Sequence, residues 1–274
     1  MIDLELIRIA LAEDLQGGED ITSLATVGES ERAIADFVSR QPGVIAGLDM
    51  AKAVLTEVGL SEITTYCADG DSVAAGTVLM TVRGNTRAIL LAERTALNFL
   101  GHLSGIASLT SLWVAAVGKS KCQIRDTRKT TPGMRELEKY AVRMGGGTNH
   151  RISLSEAALI KDNHIAAAGG VEPSFTKVRK LYPNTPIEVE VDTLQQLQEV
   201  LPLNPDVILL DNMSPKECAT AVEIVAGRSK LEASGGITLE SAAAYAATGV
   251  DFLAIGALTH SAPVLDIGLD LRAE

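Results

Sequence analysis

The chain has 274 residues, 46% of them hydrophobic, with 35 acids against 24 bases and a formal net charge of -11. That length and apolar content suffice for one large core or two modest ones. The acidic balance argues against nucleic acid and against an anionic membrane as partners, because both select basic proteins.

Three cysteines, Cys67, Cys122 and Cys218, form neither a metal-ligand spacing nor an even disulfide framework, so a reducing, cytoplasmic setting is expected. The stretch MIDLELIRIALAEDL carries acids throughout and lacks the basic and apolar regions of a signal peptide. Residues 4–15 read as a helix, 33–38 as a strand and 48–58 as a second helix. Next, GDSVAAGTVLMTVRG (70–84) alternates apolar residues between turn glycines and predicts an antiparallel hairpin. The same stretch resembles half of a biotinyl or lipoyl carrier motif, but it has no lysine to carry the group. Residues 95–118 are uncharged and long enough to span a bilayer. However, Asn98, His102, Ser104, Ser108, Thr110 and Ser111, with Gly101 and Gly105, predict a core helix.

From about Lys121 short strands alternate with helices. CQIRD, AALIK, PIEVEVD, DVILLDN, KLEAS and DFLAIG are the candidate strands. Ser214-Pro215-Lys216-Glu217 combines an N-cap serine, a proline at N1 and a glutamate at N3. Thr238 is expected to cap a helix that Gly249 ends, and Pro132 and the glycines at 145–147 bracket another. Alternating βα units imply parallel strands and a full or slightly incomplete α/β barrel. A doubly wound sheet is the competitor, but no GxGxxG opens its first turn.

Barrels place their active site at the carboxyl ends of the strands. Here CQIRD runs into Thr127, Arg128, Lys129 and Thr130, and AALIK ends at Lys161, followed by Asp162, Asn163 and His164. PIEVEVD puts Glu188, Glu190 and Asp192 on one face. That face is either a solvated edge or, between parallel neighbours, an acidic wall inside the barrel. DVILLDN ends at Asp211 and Asn212. After the last two strands, Gly235-Gly236 and the run from Ala257 to Ser261 offer small residues and backbone N–H groups before helix starts, a composition suited to phosphate. The pattern is therefore a cationic sector (Arg128, Lys129, His150, Arg151, Lys161) beside an acidic pair (Glu190, Asp211) and a neutral nest. Carboxylates beside an oxygen-rich anion suggest Mg²⁺. The expected ligand is anionic, with phosphate at one end and carboxylates at the other.

DTRKTTPGMRELEKYAVRMGGGTNHR, LIKDNH, EVEVD, LLDN, SGG and GALTHS stand in an order and spacing that resembles quinolinate phosphoribosyltransferase. EDLQGGEDITS and ERTALNFL extend the resemblance into the first third. Two positions depart from the pattern: Thr148, where many relatives have lysine, and Ile152-Ser153-Leu154, which replaces a glycine-containing run. The resemblance implies conversion of quinolinate and phosphoribosyl pyrophosphate to nicotinate mononucleotide, pyrophosphate and carbon dioxide, with Mg²⁺, in de novo NAD biosynthesis. It implies an amino-terminal α+β sandwich over 1–112, with or without the tail 264–274, and an incomplete (β/α) barrel over 113–263. A cytoplasmic homodimer with shared active sites follows from it, further assembly being left open.

The same resemblance assigns roles. Arg94 reaches the neighbouring subunit's site, and Arg128, Lys129, His150, Arg151 and Lys161 bind substrate. Lys129, Lys161, Glu190 and Asp211 are the catalytic set. Glu190 and Asp211 face the ribose and the metal, directly or through substrate or water. Ser234, Gly235, Gly236, Gly256 and His260 surround the terminal phosphate. Nicotinate phosphoribosyltransferase and a pyrophosphorylase-like protein associated with molybdate transport share parts of the pattern. A non-catalytic phosphosugar-binding protein would keep the nest and could lose the charges. The lysine and acid of LIKDNH favour a substrate with two carboxylates.

Overall fold

The computed structural model describes residues 2–274. Its strands are β1 (Arg32–Ser39), β2 (Gly43–Val44), β3 (Glu62–Thr65), β4 (Ser72–Val73), β5 (Val78–Asn85), β6 (Gln123–Arg125), β7 (Ala158–Ile160), β8 (Ile187–Val191), β9 (Val207–Asp211), β10 (Lys230–Ser234), β11 (Phe252–Ala254) and β12 (Ile267–Ala273). The chain folds into two compact units. The first takes residues up to Ser111 with Thr131–Gly146 and Ser261–Glu274; the second takes Leu112–Thr130 and Gly147–His260.

The first unit is an α+β layer structure. Its sheet has the order β12-β1-β5-β3, antiparallel throughout, and β2 pairs with β4 in a separate ribbon. The hairpin expected over 70–84 does not form, because β4 and β5 do not pair with each other. Instead the turn after β4 is held by β1's end: Gly76 N donates to Ser39 O at 2.7 Å, and Ser39 N donates to Thr77 O at 3.0 Å. The two strands thereby feed different sheets. Helix Arg135–Met144, which the sequence reading put within 113–263, belongs to this unit. Leu137, Ala141 and Val142 form its buried face. At its end Gly145 comes so close to Ala107 O and Thr110 Cβ that a side chain would overlap them.

The uncharged stretch lies in helix Thr86–Val117, which is long and apolar enough to cross a membrane. However, 56% of its most apolar window is buried inside the protein. Its hydroxyls serve backbone: Ser108 Oγ accepts from Val44 N at 2.8 Å, and Ser104 Oγ accepts from Ala46 N at 3.0 Å. Gly101 and Gly105 admit the segment 263–265 against the helix, where a Cβ on Gly105 would overlap Pro263 O. It is a core helix.

The second unit is a six-stranded parallel sheet of order β6-β11-β10-β9-β8-β7. All six candidate strands are present. β6 and β7 do not pair; beyond β6 the sheet gains only a single parallel bridge, Arg125 to Thr148. This is the incomplete barrel. The apolar faces pack: Ile187, Val189 and Val191 of β8, and Ile208 and Leu210 of β9, are all essentially buried. Ser214 caps helix Pro215–Val225 in a reciprocal box with Glu217, with proline in the first turn, as expected. Thr238 does not cap its helix. Its Oγ1 accepts from Ser241 N inside a preceding turn, and the helix runs Ala242–Ala246 with Ser241 at the N-cap.

Candidate active site

Because the strands are parallel, their carboxyl ends share one rim. There the second unit encloses a cavity of about 460 Å³, within the range typical of small-molecule sites. Arg128, Lys129, Arg151 and Lys161 give it a cationic wall, which His150 joins; Glu190, Asp211 and Ser234 also line it. Eight of the residues singled out in the sequence therefore meet at one cavity, whereas Gly235, Gly236, Gly256 and His260 are not among its lining.

The sheet explains the placement. Glu190 on β8 is in register with Leu209 on β9, and Asp211 on β9 with Ser234 on β10, so the acids and the serine lie on adjoining strand ends. The alternation in β8 turns Glu188 and Glu190 away from its valines. It makes an inner wall, since Glu188 is only 6% exposed. Lys161, just past β7, reaches Glu190 Oε2 at 2.5 Å. Burial and then Asp192 hold the Asp211 carboxyl above its ordinary range, against Lys161 and Lys129. Burial, followed by neighbouring Arg128, draws the Arg151 guanidinium down. Each shift favours loss of charge, and a bound counter-ion would relieve the cationic one.

Loops pin the remaining groups. Thr259 Oγ1 donates to Lys129 O at 2.7 Å. A Cβ on Gly256 would stand 3.1 Å from Lys129 Cδ and 3.2 Å from His260 Nε2, so all three share a small volume. Gly235 and Gly236 have φ of +86° and +61°. A side chain at Gly235 would also strike Asn212 Oδ1. These glycines are required by the backbone path after β10.

The two departures from the sequence pattern are accommodated away from the charged wall. Thr148 Oγ1 donates to Ile124 O at 3.2 Å, reinforcing the bridge beside β6. Ile152 and Leu154 are exposed, while Arg151 is anchored by donating from Nη1 to Ala157 O at 2.7 Å. Arg94 is not among the lining of this cavity. It lies on helix Thr86–Val117 in the first unit, exposed, beside a cavity it lines with Glu13, Asp14, Asn98 and His102.

Comparison with known proteins gives the family. The model of the quinolinate phosphoribosyl transferase C-terminal domain matches residues 106–270, and that of its N-terminal domain matches residues 20–104. This chain belongs to the quinolinate phosphoribosyl transferase family. The carboxylating nicotinate-nucleotide pyrophosphorylase of Mycobacterium leprae is 52% identical over 273 residues, covering 97% of this chain and 96% of that protein. A probable enzyme of the same name from Bacillus subtilis is 40% identical, covering 97% and 92%. The solved structure of the nicotinate-nucleotide pyrophosphorylase from Francisella tularensis superposes with a TM-score of 0.93 at 41% identity, covering 98% of this chain and 95% of that one. The likeness to this family thus spans both units.

Three residues around His150 are not singled out by the sequence, Arg125, Asp126 and Glu232, while Glu188 is anticipated only as part of the acidic inner face of β8. His150 N donates to Asp126 Oδ1 at 2.9 Å, and its Nε2 lies 2.7 Å from Glu188 Oε2. Asn149 also donates to Asp126. An acid directly after β6, followed by the Asn149-His150 pair, carries a faint signal of this contact. Glu232, a lone acid in an apolar strand, carries none.

Proposed function

We propose that the cavity of the second unit is where this member of the family transfers phosphoribose to quinolinate, with loss of carbon dioxide, to give nicotinate mononucleotide and pyrophosphate for NAD biosynthesis. One observation carries this reading: four cationic side chains and His150 share a single cavity with Glu190, Asp211 and Ser234. Arg128, Lys129, Arg151 and Lys161 neutralise the two carboxylates of quinolinate and, with His150 beside them, hold its ring nitrogen toward the sugar. Positioning of this kind replaces a bimolecular encounter by an aligned one. Ser234, Gly235, Gly236, Gly256 and His260 receive the terminal phosphate of the sugar.

Glu190 and Asp211 face the ribose, where positive charge develops as pyrophosphate departs. Preorganised carboxylates stabilise that charge best in a water-poor cavity. The ring nitrogen attacks the anomeric carbon and becomes cationic. It then stabilises the electron pair left on the adjacent ring carbon when that carboxylate leaves as carbon dioxide, and the carbon takes up a proton. Lys129 and Lys161 hold the charges through both steps.

The acids also fit a hard divalent cation, because both offer oxygen ligands beside a phosphate-binding loop. Glu190 and Asp211 would hold Mg²⁺, directly or through water and substrate, and bound Mg²⁺ supplies charge neutralisation of the pyrophosphate. The ERTALNFL motif supports a homodimer in which Arg94 completes the neighbour's cavity, and the acidic, cysteine-poor composition fits the cytoplasm.

The direct test mixes purified protein with quinolinate, phosphoribosyl pyrophosphate and Mg²⁺ and follows nicotinate mononucleotide. Chelation is expected to stop product formation and added Mg²⁺ to restore it. Nicotinate lacks one carboxylate and forgoes its charge-assisted hydrogen bonds to the cationic wall, worth about 1.5–3 kcal/mol. Turnover of nicotinate comparable to that of quinolinate, in direct competition, would overturn the reading.

A further inference from the structure

Beneath the anion-facing wall, the cavity has a buried polar floor to which the roles above assign nothing. Glu188 of β8 and Glu232 of β10 stand on either side of His150. Glu232 is fully buried, and Glu188 and His150 nearly so. His150 Nε2 lies 2.7 Å from Glu188 Oε2 and 3.5 Å from Glu232 Oε1. The other oxygen of Glu232 accepts from Arg125 Nη1 at 2.7 Å, and the Arg125 guanidinium stacks 3.7 Å from the ring centre of Phe252. His150 is also fixed at its backbone, through Asp126.

An ionised carboxylate can only accept, so the hydrogen on the short line to Glu188 resides on Nε2. A histidine nitrogen facing two carboxylates has its tautomer and ring orientation chosen for it. Stability alone does not account for the arrangement. A buried ion pair is often no better than apolar residues of the same volume, and Glu188 Oε1 and Glu232 Oε1 are buried without a hydrogen bond. The three side chains could in principle surround a metal ion, since their ligand atoms lie within 4.8 Å of one another. Arg125 already supplies the positive charge to Glu232, and Glu188 already closes on Nε2, so a cation has little to gain there.

We propose that Glu188 and Glu232 are positioning residues that lock His150 in the Nε2–H tautomer and in one orientation. Held there, the ring keeps one fixed place in the wall of the cavity that meets the pyridine dicarboxylate. The proposal rests on the assignment of this cavity to quinolinate.

Two measurements separate the lock from that assignment. The first is ¹⁵N NMR of the imidazole nitrogens in the wild-type protein, with His150 assigned by its loss in His150→Gln. On the alkaline side, where a neutral ring reveals its tautomer, the Nε2–H form is expected. It should persist in Glu188→Gln, which keeps an acceptor oxygen, and give way to a mixture in Glu188→Leu and in Glu232→Leu. The second is steady-state kinetics. Glu188→Leu should raise the quinolinate KM about tenfold or more while phosphoribosyl pyrophosphate KM stays within about twofold, and Glu188→Gln should recover most of the loss.

An Nδ1–H ring in the wild type, or an unchanged tautomer in both leucine variants, overturns the proposal. Should the leucine variants not fold, the wild-type spectrum alone still decides. A shifted tautomer with an unaltered quinolinate KM upholds the lock and counts instead against quinolinate lying beside His150.

Discussion

Lys161 and Glu190 meet at 2.5 Å, with the lysine side chain 44% exposed and the glutamate 15%. Both residues line the cavity, and the proposed function predicts that an arriving carboxylate takes the lysine and leaves Glu190 to the sugar. Glu190→Gln and Asp211→Asn are expected to fold normally and to lose about 10²-fold or more in kcat, the scale of a lost preorganised charge contact. Circular dichroism and melting curves alongside kinetics check this. A collapsed melting temperature with normal activity per folded molecule would make both residues structural.

Glu232 gives a pH-dependent expectation. Burial, with Glu188 adding to it, pushes its carboxyl from 4.5 up to about 7, in spite of His150 and Arg125. An acid raised on folding binds its proton more tightly in the native state. Its contribution to stability is therefore most favourable below the unfolded value and declines as pH rises toward the folded one. The melting temperature of the wild type relative to Glu232→Gln should accordingly fall between pH 5 and pH 7.5. A difference independent of pH would show that Glu232 does not titrate in this range. The sequence hid this residue because one acid in KLEAS resembles any exposed strand position. Only the order β8-β9-β10 brings it to His150. Glu190 and Asp211 are legible because each stands at or next to the carboxyl end of a largely buried parallel strand, where a carboxylate without a counter-charge is costly.

At the scale of elements, strand ends and helix caps were the readable features, since each depends on residues close in sequence. The stretch 70–84 departs from its expected hairpin for the opposite reason. Its alternation correctly marks extended backbone, but pairing is chosen by β1 and β2, more than twenty residues away. By contrast, the polar residues and glycines within 95–118 predict the core helix from sequence, and the packing of Gly101 and Gly105 against residues 263–265 gives the physical reason. Gly105→Ala tests that close approach. Its Cβ would meet Pro263 and Leu265 backbone atoms, which cannot rotate away as a side chain could. Overpacking of this kind costs about 1–3 kcal/mol or more, so denaturant titration should show a clear loss of stability. A variant as stable as the wild type would mean that the tail segment is loosely held.

At the scale of the whole molecule, no local cue in the sequence marks the first unit as drawing on three separate stretches, including helix Arg135–Met144. The homodimer proposal makes a prediction here. Arg94→Ala and Lys129→Ala should each be nearly inactive alone, because one lacks the donated arginine and the other the lysine of the cavity. After subunit exchange, mixed dimers should regain one working site, assembled from the intact Lys129 of one chain and the intact Arg94 of the other. Verified heterodimers without recovered activity would show that Arg94 does not act across the interface. β12, finally, bears on the order in which the protein is made. It is the outer neighbour of β1, matched residue for residue from Ala33 with Ala273 to Ser39 with Ile267. A growing chain therefore carries β1 with an open edge until residues 267–273 have been synthesised, whereas every strand of the parallel sheet is complete by Ala254. The unit begun first on the ribosome is finished last, and for that interval an unpaired strand edge is available to other nascent chains.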